Sequence, residues 1–180
     1  YDYAYINGKQ VWKKRGYHSG CRNGWLKGPS NFPRSSRSHP ACYIDVTVTV
    51  PCSGTLALMF RSDINQHEND ESWAFQNVKV KVKPPMSTVE VYKETQAVGT
   101  GWSNTEITTA GSAGKVHGPW GNNNRVASKN IPLPAGVTQC TVSWRSWAIY
   151  TRDGEYDYAY INGKQVWKKR GYHSGCRNGW

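Results

Sequence analysis

Residues 156–169 read YDYAYINGKQVWKK, and the same letters open the chain as residues 1–14. In this stretch Tyr1, Tyr3 and Tyr5 alternate with other residues, a period of two that is typical of a half-buried β-strand. The dipeptide Asn7-Gly8 separates this run from the next strand-like run. Asn-Gly at such a position is the strongest short signal of a β-hairpin, because a type I′ turn needs a positive φ at both central residues. The stretch therefore predicts a hairpin, and it occurs twice.

The duplication extends beyond the hairpin, since residues 1–25 and 156–180 are identical throughout. The chain is thus a repeat unit of 155 residues followed by the first 25 residues of the next unit. Of the 23 basic and 12 acidic residues, 18 and 11 belong to one unit, so the net charge of +11 falls to +7 per unit. A unit of this length can bury the core of one domain. We expect the sequence to be an excerpt of a longer tandem-repeat polypeptide.

Other segments with a period of two predict further strands, at residues 42–50, 54–61, 73–83, 88–94 and 138–150. The clearest is the last part of 73–83, where Val78, Val80 and Val82 alternate with lysines. No window shows a period of 3.6 residues, and stretches rich in turn residues, such as 27–41 and 110–124, predict loops. The predicted fold class is all-β: a two-sheet antiparallel β-sandwich, jelly-roll-like, with no substantial helix.

Pro84-Pro85 suggests a boundary between modules, because neither proline can donate a hydrogen bond to a neighbouring strand. On this interpretation residues 1–83 are the C-terminal part of one module, 84–87 are a Pro-rich linker, and 88–180 are the N-terminal part of the next. Both copies of the hairpin cannot occupy the same position in one sandwich. We expect one copy to complete the domain and the other to lie outside it or dock on a neighbour. The alternative is that the overlap only reflects where the fragment was cut.

Each repeat unit carries four cysteines, because Cys21 and Cys176 are the same position in successive units. Cys42 and Cys52 flank a single predicted strand. With a rise of about 3.3 Å per residue, their Cα atoms lie roughly 30 Å apart, whereas the Cα atoms of a disulfide are at most about 7 Å apart. Cys21 (or Cys176) and Cys140 should therefore each pair with one of Cys42 and Cys52, which leaves two pairings open. Two disulfides per unit indicate an oxidising, extracellular compartment and a secreted protein. Buried free thiols are the alternative, and a zinc site is less favoured because the chain has no C-x-x-C pair.

Two acidic clusters are candidates for a Ca²⁺ site, since this cation prefers six to eight oxygen ligands. They comprise Asp63, Glu68, Asp70 and Glu71 in one loop and Asp153 and Glu155 in another. Their spacing does not match an EF-hand loop. The alternative is that these acids are solvated or pair with nearby lysines and arginines.

A basic patch interleaved with aromatic residues is a candidate interaction surface, formed by Lys13, Lys14, Arg15, Arg22 and Lys27. Such a patch can bind nucleic acid, acidic glycans or the acidic loop of an adjoining module. The extracellular compartment argues against nucleic acid. Among the tryptophans, Trp25, Trp102 and Trp120 are candidate glycan contacts in loops, whereas Trp73, Trp144 and Trp147 lie within predicted strands and should be core residues.

Catalysis and membrane insertion receive no support from the sequence. The nucleophile-elbow, zinc-protease and phosphate-loop motifs are absent, and the histidines have no partner at a catalytic spacing. We therefore expect the protein not to be an enzyme. The sequence has no run of 18 apolar residues, so it predicts no transmembrane helix.

Several motifs resemble those of tandem-repeat β-sandwich modules of large secreted and surface proteins, particularly of protists. They are Trp147-Ala148-Ile149, Asp153-Gly154-Glu155, Tyr160-Ile161-Asn162-Gly163, Val166-Trp167, Phe60-Arg61-Ser62-Asp63, Asp70 to Val78, Thr108 to Ser112, and Gly118-Pro119-Trp120-Gly121. The resemblance covers nearly the whole unit and implies a β-sandwich with a boundary at Pro84-Pro85. Tyr150 and Gln76 replace aspartates of that pattern, and Ala110 replaces a cysteine. The lost acids weaken the inference of Ca²⁺ binding from the family.

Identical repeats favour a structural role, because every interface in a polymer must match the next one. The sequence therefore predicts a repeat module of an extracellular filament, matrix or adhesive fibre, whose partners are neighbouring copies of itself joined head to tail. The duplicated hairpin could add strands to a neighbouring sheet. The alternative function is a carbohydrate-binding or cell-adhesion module that uses exposed tryptophans and tyrosines and the basic patch, with acidic glycans as partners.

Overall fold

In a computed structural model the chain is described at residues 2–6, 9–14, 21, 25–29, 31–33, 41–83, 88–122, 126–150, 152 and 155–171. The strands of this part are β1 (Asp2–Ile6), β2 (Lys9–Lys14), β3 (Leu26–Lys27), β4 (Cys42–Pro51), β5 (Thr55–Ser62), β6 (Glu71–Val82), β7 (Val89–Lys93), β8 (Ile107–Thr109), β9 (Lys115–Trp120), β10 (Val126–Pro132), β11 (Gln139–Tyr150), β12 (Tyr156–Ile161) and β13 (Lys164–Arg170). A single turn of 3-10 helix spans Gly111–Ala113. In the residues described, no helix is long and apolar enough to cross a membrane.

The strands form a large and a small antiparallel sheet, with one hairpin apart from both, so the all-β prediction is confirmed. The large sheet has the order β3-β4-β11-β6-β9-β8, with β7 also paired to β6. The small sheet has the order β10-β5-β12-β13, and β1 pairs with β2 in a separate two-stranded sheet. The longest pairings in the large sheet are those of β11, which pairs with β4 from Gln139 to Ala148 and with β6 from Cys140 to Tyr150.

The core contains the alternating apolar residues of both sheets. The small sheet contributes Leu56, Leu58 and Phe60 from β5, and the large sheet contributes the valines of β6 together with Trp144 from β11. Phe60 lies at the centre of this core, with its ring 4.6 Å from that of Phe75 and 5.2 Å from that of Trp144. Trp73, Trp144 and Trp147 are buried, as predicted. The alternation read from the sequence is therefore the alternation between core and outer face.

Both halves of the sequence contribute to the same sandwich. In the large sheet β11, from the second half, lies between β4 and β6 from the first half. In the small sheet β12 pairs with β5. Strand β6 also pairs with β7, and Val82 lies opposite Val89, on the two sides of Pro84-Pro85. Residues 84–87 are outside the described part.

The structure has strands where the sequence predicted loops. The turn residues of 110–124 predict a loop, but this stretch contains β9, which pairs with β6 and β8. The reason is burial: Val116, His117 and Trp120 are completely buried there. Short strands of this kind have too few alternating positions to be recognised in a single sequence.

Candidate hairpin-docking site

Only one of the two identical hairpins pairs with the sandwich in the described part of the chain. Strand β12 of the second copy pairs with β5 from Asp157↔Ser62 to Ile161↔Leu58, whereas β1 and β2 of the first copy pair with each other. The two hairpins share one internal register, with an irregularity after Ala4 and after Ala159. We call the edge of β5 that receives the hairpin the docking slot. The expectation that one copy completes the domain agrees with this arrangement.

The inner face of β12 closes the core above the docking slot. Asp157, Ala159 and Ile161 are exposed by 1%, 1% and 4%, and Ala159 lies opposite Phe60. Trp167 of β13 is partly buried and meets Trp144 edge-on, with ring centroids 5.7 Å apart. A small residue at position 159 lets the hairpin approach the large aromatic side chains of the core.

The turn of the hairpin is fixed to β5. Asn162 and Gly163 have φ values of 48° and 76°, as a type I′ Asn-Gly turn requires. The Asn162 amide donates to the carbonyl of Ala57 at 2.9 Å, and the Ala57 amide donates to Asn162 Oδ1 at 2.8 Å. The residue that forms the turn therefore also sets the register of the hairpin on β5.

Asp63 holds the opposite end of the hairpin. Its carboxylate accepts hydrogen bonds from the backbone amide of Tyr156 and from the hydroxyl of Tyr158 at 2.8 Å. Burial raises the pKa of Tyr158 to about 12, and the hydrogen bond to Asp63 and its negative charge act in the same direction. The phenol therefore remains a donor to Asp63 throughout the physiological pH range.

Arg152 provides a contact that lies outside the duplicated residues. Its side chain is completely buried, and Nη2 donates to the carbonyl of Glu155 and to Oδ1 of Asp157, both at 3.1 Å. Burial raises the pKa of Asp157, whereas the charge of Arg152 opposes this rise. A Cβ at Gly171 would lie 2.7 Å from the guanidinium carbon, so this position needs glycine. In the first hairpin the equivalent of Asp157 is Asp2.

Two disulfides connect the chain around the sandwich: Cys21–Cys42 and Cys52–Cys140. This is one of the two pairings that the strand geometry left open, and it is consistent with an oxidising compartment. Cys176 lies outside the described residues. Cys21, Trp25, Cys42 and Ala148 form a small cluster against Trp167.

Trp25 brings the end of the docked hairpin close to the segment that follows the first hairpin. Its indole Nε1 donates to the carbonyl of Arg170 at 3.0 Å. Residues 15–25 and 170–180 are identical. The contact therefore joins the last residue of the first copy of this stretch, Trp25, to the first residue of the second copy, Arg170.

Among the described residues, the candidate Ca²⁺ ligands are not gathered into one site. Asp63 binds the hairpin, Glu155 lies 3.6 Å from Arg152, and Glu71 is completely buried. Glu68 and Asp70 lie in the loop before β6, and Asp153 is outside the described part. In that part, no group of three or more His, Cys, Asp or Glu residues is arranged to hold a metal ion.

Of the basic patch, the structure describes one side chain, Lys27, which is exposed. Lys13 and Lys14 lie in β2, where only the backbone is described, and Arg15 and Arg22 are outside the described residues. Their equivalents in the docked copy are more informative. Lys168 and Arg170 are exposed on β13, and Lys169 is half-buried.

The three candidate glycan-binding tryptophans are buried, so their expected exposure is wrong. Trp25, Trp102 and Trp120 are exposed by only 4%, 4% and 0%. Trp102 packs on Phe75, and Trp120 packs on Trp73 with ring centroids 4.9 Å apart. Their predicted loop positions suggest exposure, but the apolar area of an indole is large enough that the fold buries it.

A buried polar cluster was not foreseen. The Glu94 carboxylate accepts hydrogen bonds from Trp102 Nε1 at 2.9 Å and from the hydroxyl of Tyr92, and it lies 2.8 Å from His117 Nε2. Burial alone would raise the pKa of Glu94, but these hydrogen bonds and the charge of His117 lower it below its usual value. These partners come from separate strands and loops, so no spacing in the sequence indicates the cluster.

A polar cleft of about 450 Å³ opens on the outer face of the large sheet. Its charged groups already have partners within the protein. Arg145 forms a two-pronged ion pair with Asp45, with both N–O distances 2.7 Å, and Lys79 and Lys93 each lie 3.7 Å from Glu90.

Comparison with known proteins gives no family assignment. No protein-family description and no curated protein matches the sequence. Among solved structures, the collagen-binding domain from a Staphylococcus aureus adhesin matches 85% of this chain and 95% of its own length, at 9% identity and a TM-score of 0.26. An identity and a TM-score this low do not place the two proteins in one family.

Proposed function

We propose that the chain is a repeat module of an extracellular filament, matrix or adhesive fibre, in which the hairpin of one repeat fills the docking slot of its neighbour. The observation that carries the proposal is the mismatch between hairpins and slots. The chain has two identical hairpins, and its sandwich has one docking slot, which the second copy occupies.

The first hairpin carries most of the residues that the slot recognises. Ala159, Ile161 and Asn162 have identical equivalents in Ala4, Ile6 and Asn7. Pairing with β5 uses backbone groups, which both hairpins have. The turn contact with Ala57 uses the asparagine side chain, which both hairpins also have. A neighbour's hairpin can thus form the same ladder, a known mode of strand addition to a sheet.

The contact is heterologous, because a hairpin on one copy meets a slot on another. Contacts of this type produce open chains unless the rotation between copies closes a ring. Identical repeats keep every interface equivalent. The disulfides support an extracellular setting for such a polymer, and Asp63 offers its carboxylate as the acceptor for the Tyr158 hydroxyl of the hairpin.

Within one 180-residue chain the docked hairpin has an advantage, because a covalently tethered strand has an effective concentration in the millimolar range. We therefore expect an isolated chain to keep its second hairpin docked and its first hairpin available. Exchange between chains should become visible when the internal hairpin is disabled.

The test uses substitutions of the buried alanine in each copy. In Ala4→Asp/Ala159→Asp neither hairpin can dock, because each would place a carboxylate against Phe60 in the core. Wild type carries one spare hairpin and should form a 1:1 heterodimer with this double variant, measured by size exclusion with light scattering. For this measurement the double variant is mixed, or refolded together, with the wild-type chain.

The matched control is the single variant Ala4→Asp. Its second hairpin fills its own slot, and its first hairpin is disabled, so it should not bind the double variant. If wild type and Ala4→Asp behave alike in this mixture, hairpin exchange is excluded as the joint between repeats.

A further inference from the structure

The outer face of the small sheet carries a row of tyrosines. Tyr156, Tyr158 and Tyr160 occupy alternate positions of β12, on the side opposite the buried Asp157 and Ala159, and each is partly exposed. Ring centroids of successive tyrosines lie 6.3 Å apart in both pairs. The rings therefore form a continuous aromatic ladder along the strand.

Cations surround this ladder. The Lys168 ammonium lies 4.0 Å from the ring centroid of Tyr156 and 5.3 Å from that of Tyr158. The Arg61 guanidinium lies 5.3 Å from the ring centroid of Tyr158, and Arg170 is exposed opposite Tyr156. We call the three tyrosines with Arg61, Lys168 and Arg170 the tyrosine face.

Negative charge is scarce on this side of the small sheet. In β5, β10, β12 and β13 the one acidic residue is Asp157, which points inward. Asp63 follows β5, and its two oxygens accept hydrogen bonds from the Tyr156 amide and the Tyr158 hydroxyl. The tyrosine face therefore combines flat apolar area with net positive charge.

We propose that the tyrosine face binds an acidic polysaccharide. The apolar faces of sugar rings stack on the tyrosines, and the carboxylate or sulfate groups of the polymer bind Arg61, Lys168 and Arg170. The ladder is open and extended, as suits a linear polymer. A second copy of the chain is disfavoured as the occupant, because it carries the same positive face and a net charge of +11.

The hairpin is duplicated, so successive repeats present the ladder repeatedly to one polymer. Weak contacts at each face then add through a high effective concentration. This site differs from the tryptophans suggested by the sequence, which are buried. It lies on the side of the docked hairpin that faces away from the core, and β5 of the docking slot contributes Arg61 to it.

The test is calorimetric titration of the full 180-residue chain with heparin and with alginate as acidic probes, and with dextran as a neutral one. We expect both acidic polymers to bind and dextran not to bind. Tyr5→Ala/Tyr160→Ala, which removes the ring from both copies, should weaken binding of the acidic polymers about tenfold. The matched control Tyr5→Phe/Tyr160→Phe keeps the ring and should stay within about twofold of wild type.

The electrostatic part is tested by Lys13→Gln/Lys168→Gln. This variant should bind more weakly and show a shallower dependence of log K on log salt concentration, because fewer cations are released from the polymer. Thermal unfolding of each variant checks that the sandwich is retained. If Tyr5→Ala/Tyr160→Ala loses its fold, Tyr5→Leu/Tyr160→Leu takes its place, because leucine fills space but has no aromatic ring.

Three outcomes would overturn the proposal. The first is binding of dextran as tightly as heparin. The second is unchanged affinity in the Tyr5→Ala/Tyr160→Ala variant. The third is tighter binding of double-stranded DNA than of either acidic polysaccharide, which would indicate a general polyanion surface.

Discussion

Glu94 is the buried acid whose surroundings the structure defines most fully. It is 7% exposed, and three side chains direct polar groups at its carboxylate: Tyr92, Trp102 and His117. Phe75 stacks on His117, with ring centroids 4.4 Å apart. The ionised carboxylate thus sits in an apolar core because hydrogen bonds replace the water that burial removes.

Glu94→Gln should lower the free energy of unfolding at pH 7 by about 2 kcal/mol, because it removes the charged acceptor of three hydrogen bonds. The matched control is Glu90→Gln. Glu90 lies on the surface, 3.7 Å from two lysines, so its loss should change stability by less than about 0.5 kcal/mol. Urea unfolding followed by tryptophan fluorescence measures both, and equal effects would contradict a special role for Glu94.

The pH dependence follows from the lowered pKa of Glu94. A carboxyl group with a lowered pKa in the folded state stabilises the protein above its unfolded pKa of about 4.3, and that stabilisation is lost as the pH falls through the folded value. Stability of the wild type should therefore fall steeply below about pH 4. Glu94→Gln, which lacks this titrating carboxyl group, should show a shallower acid limb in the same urea series.

At the scale of the strand pair, the hairpin β12–β13 depends on Asn162, which forms the turn and pairs with Ala57. If the first hairpin can replace the second, Asn162→Ala alone should cost little, because the undamaged copy takes the slot. In an Ala4→Asp background no replacement exists, and the same substitution should cost about 1–2 kcal/mol. Urea midpoints of the four chains measure this difference, with Asn7→Ala as a control without effect. Equal costs in both backgrounds would show that the copies are not interchangeable.

The hairpin and the long strands could be predicted from the sequence, because their alternation and the Asn-Gly turn are local signals. Strands β8, β9 and β10 could not, because they are short or interrupted by glycine and proline, and their neighbours lie far along the chain. The docking slot could be predicted only in part. The duplication indicates that only one hairpin can complete the domain, but it does not indicate that Asp63 and Arg152 hold that hairpin. Asp63 contacts Tyr156 across a separation of 93 residues, which no local pattern indicates. Arg152 lies only five residues before Asp157, but its burial against that carboxylate depends on the folded sandwich.

At the scale of the whole molecule, we expect the two disulfides to contribute unequally to stability. Cys52–Cys140 closes a separation of 88 residues and Cys21–Cys42 one of 21. In the loop-entropy description the longer closure restricts the unfolded chain more, by about 1 kcal/mol. Cys52→Ala/Cys140→Ala should therefore lower the thermal midpoint more than Cys21→Ala/Cys42→Ala. Calorimetry of the two variants with the remaining bond intact measures this order, and the reverse order would assign the larger role to the cluster around Trp25.

The order of segments in one native module is the remaining question at this scale. The Trp25 indole contacts the carbonyl of Arg170, and ten residues of identical sequence lead from Arg170 to Trp180. A chain that runs from residue 88 to 180 and then continues with 26–83 should therefore form the same sandwich, with Cys176 and Trp180 in the places of Cys21 and Trp25. This order corresponds to a module boundary at Pro84-Pro85.

Such a rearranged chain contains one hairpin and four cysteines, so we expect a monomer with no free thiol and a circular dichroism spectrum like that of the 180-residue chain. Thiol titration, light scattering and thermal unfolding measure these properties. Because it has no spare hairpin, it should also fail to bind the Ala4→Asp/Ala159→Asp double variant, whereas the 180-residue chain binds it. If the rearranged chain does not fold, the connection between β6 and β7 through Pro84-Pro85 is part of the module, and successive modules must meet at the hairpin instead.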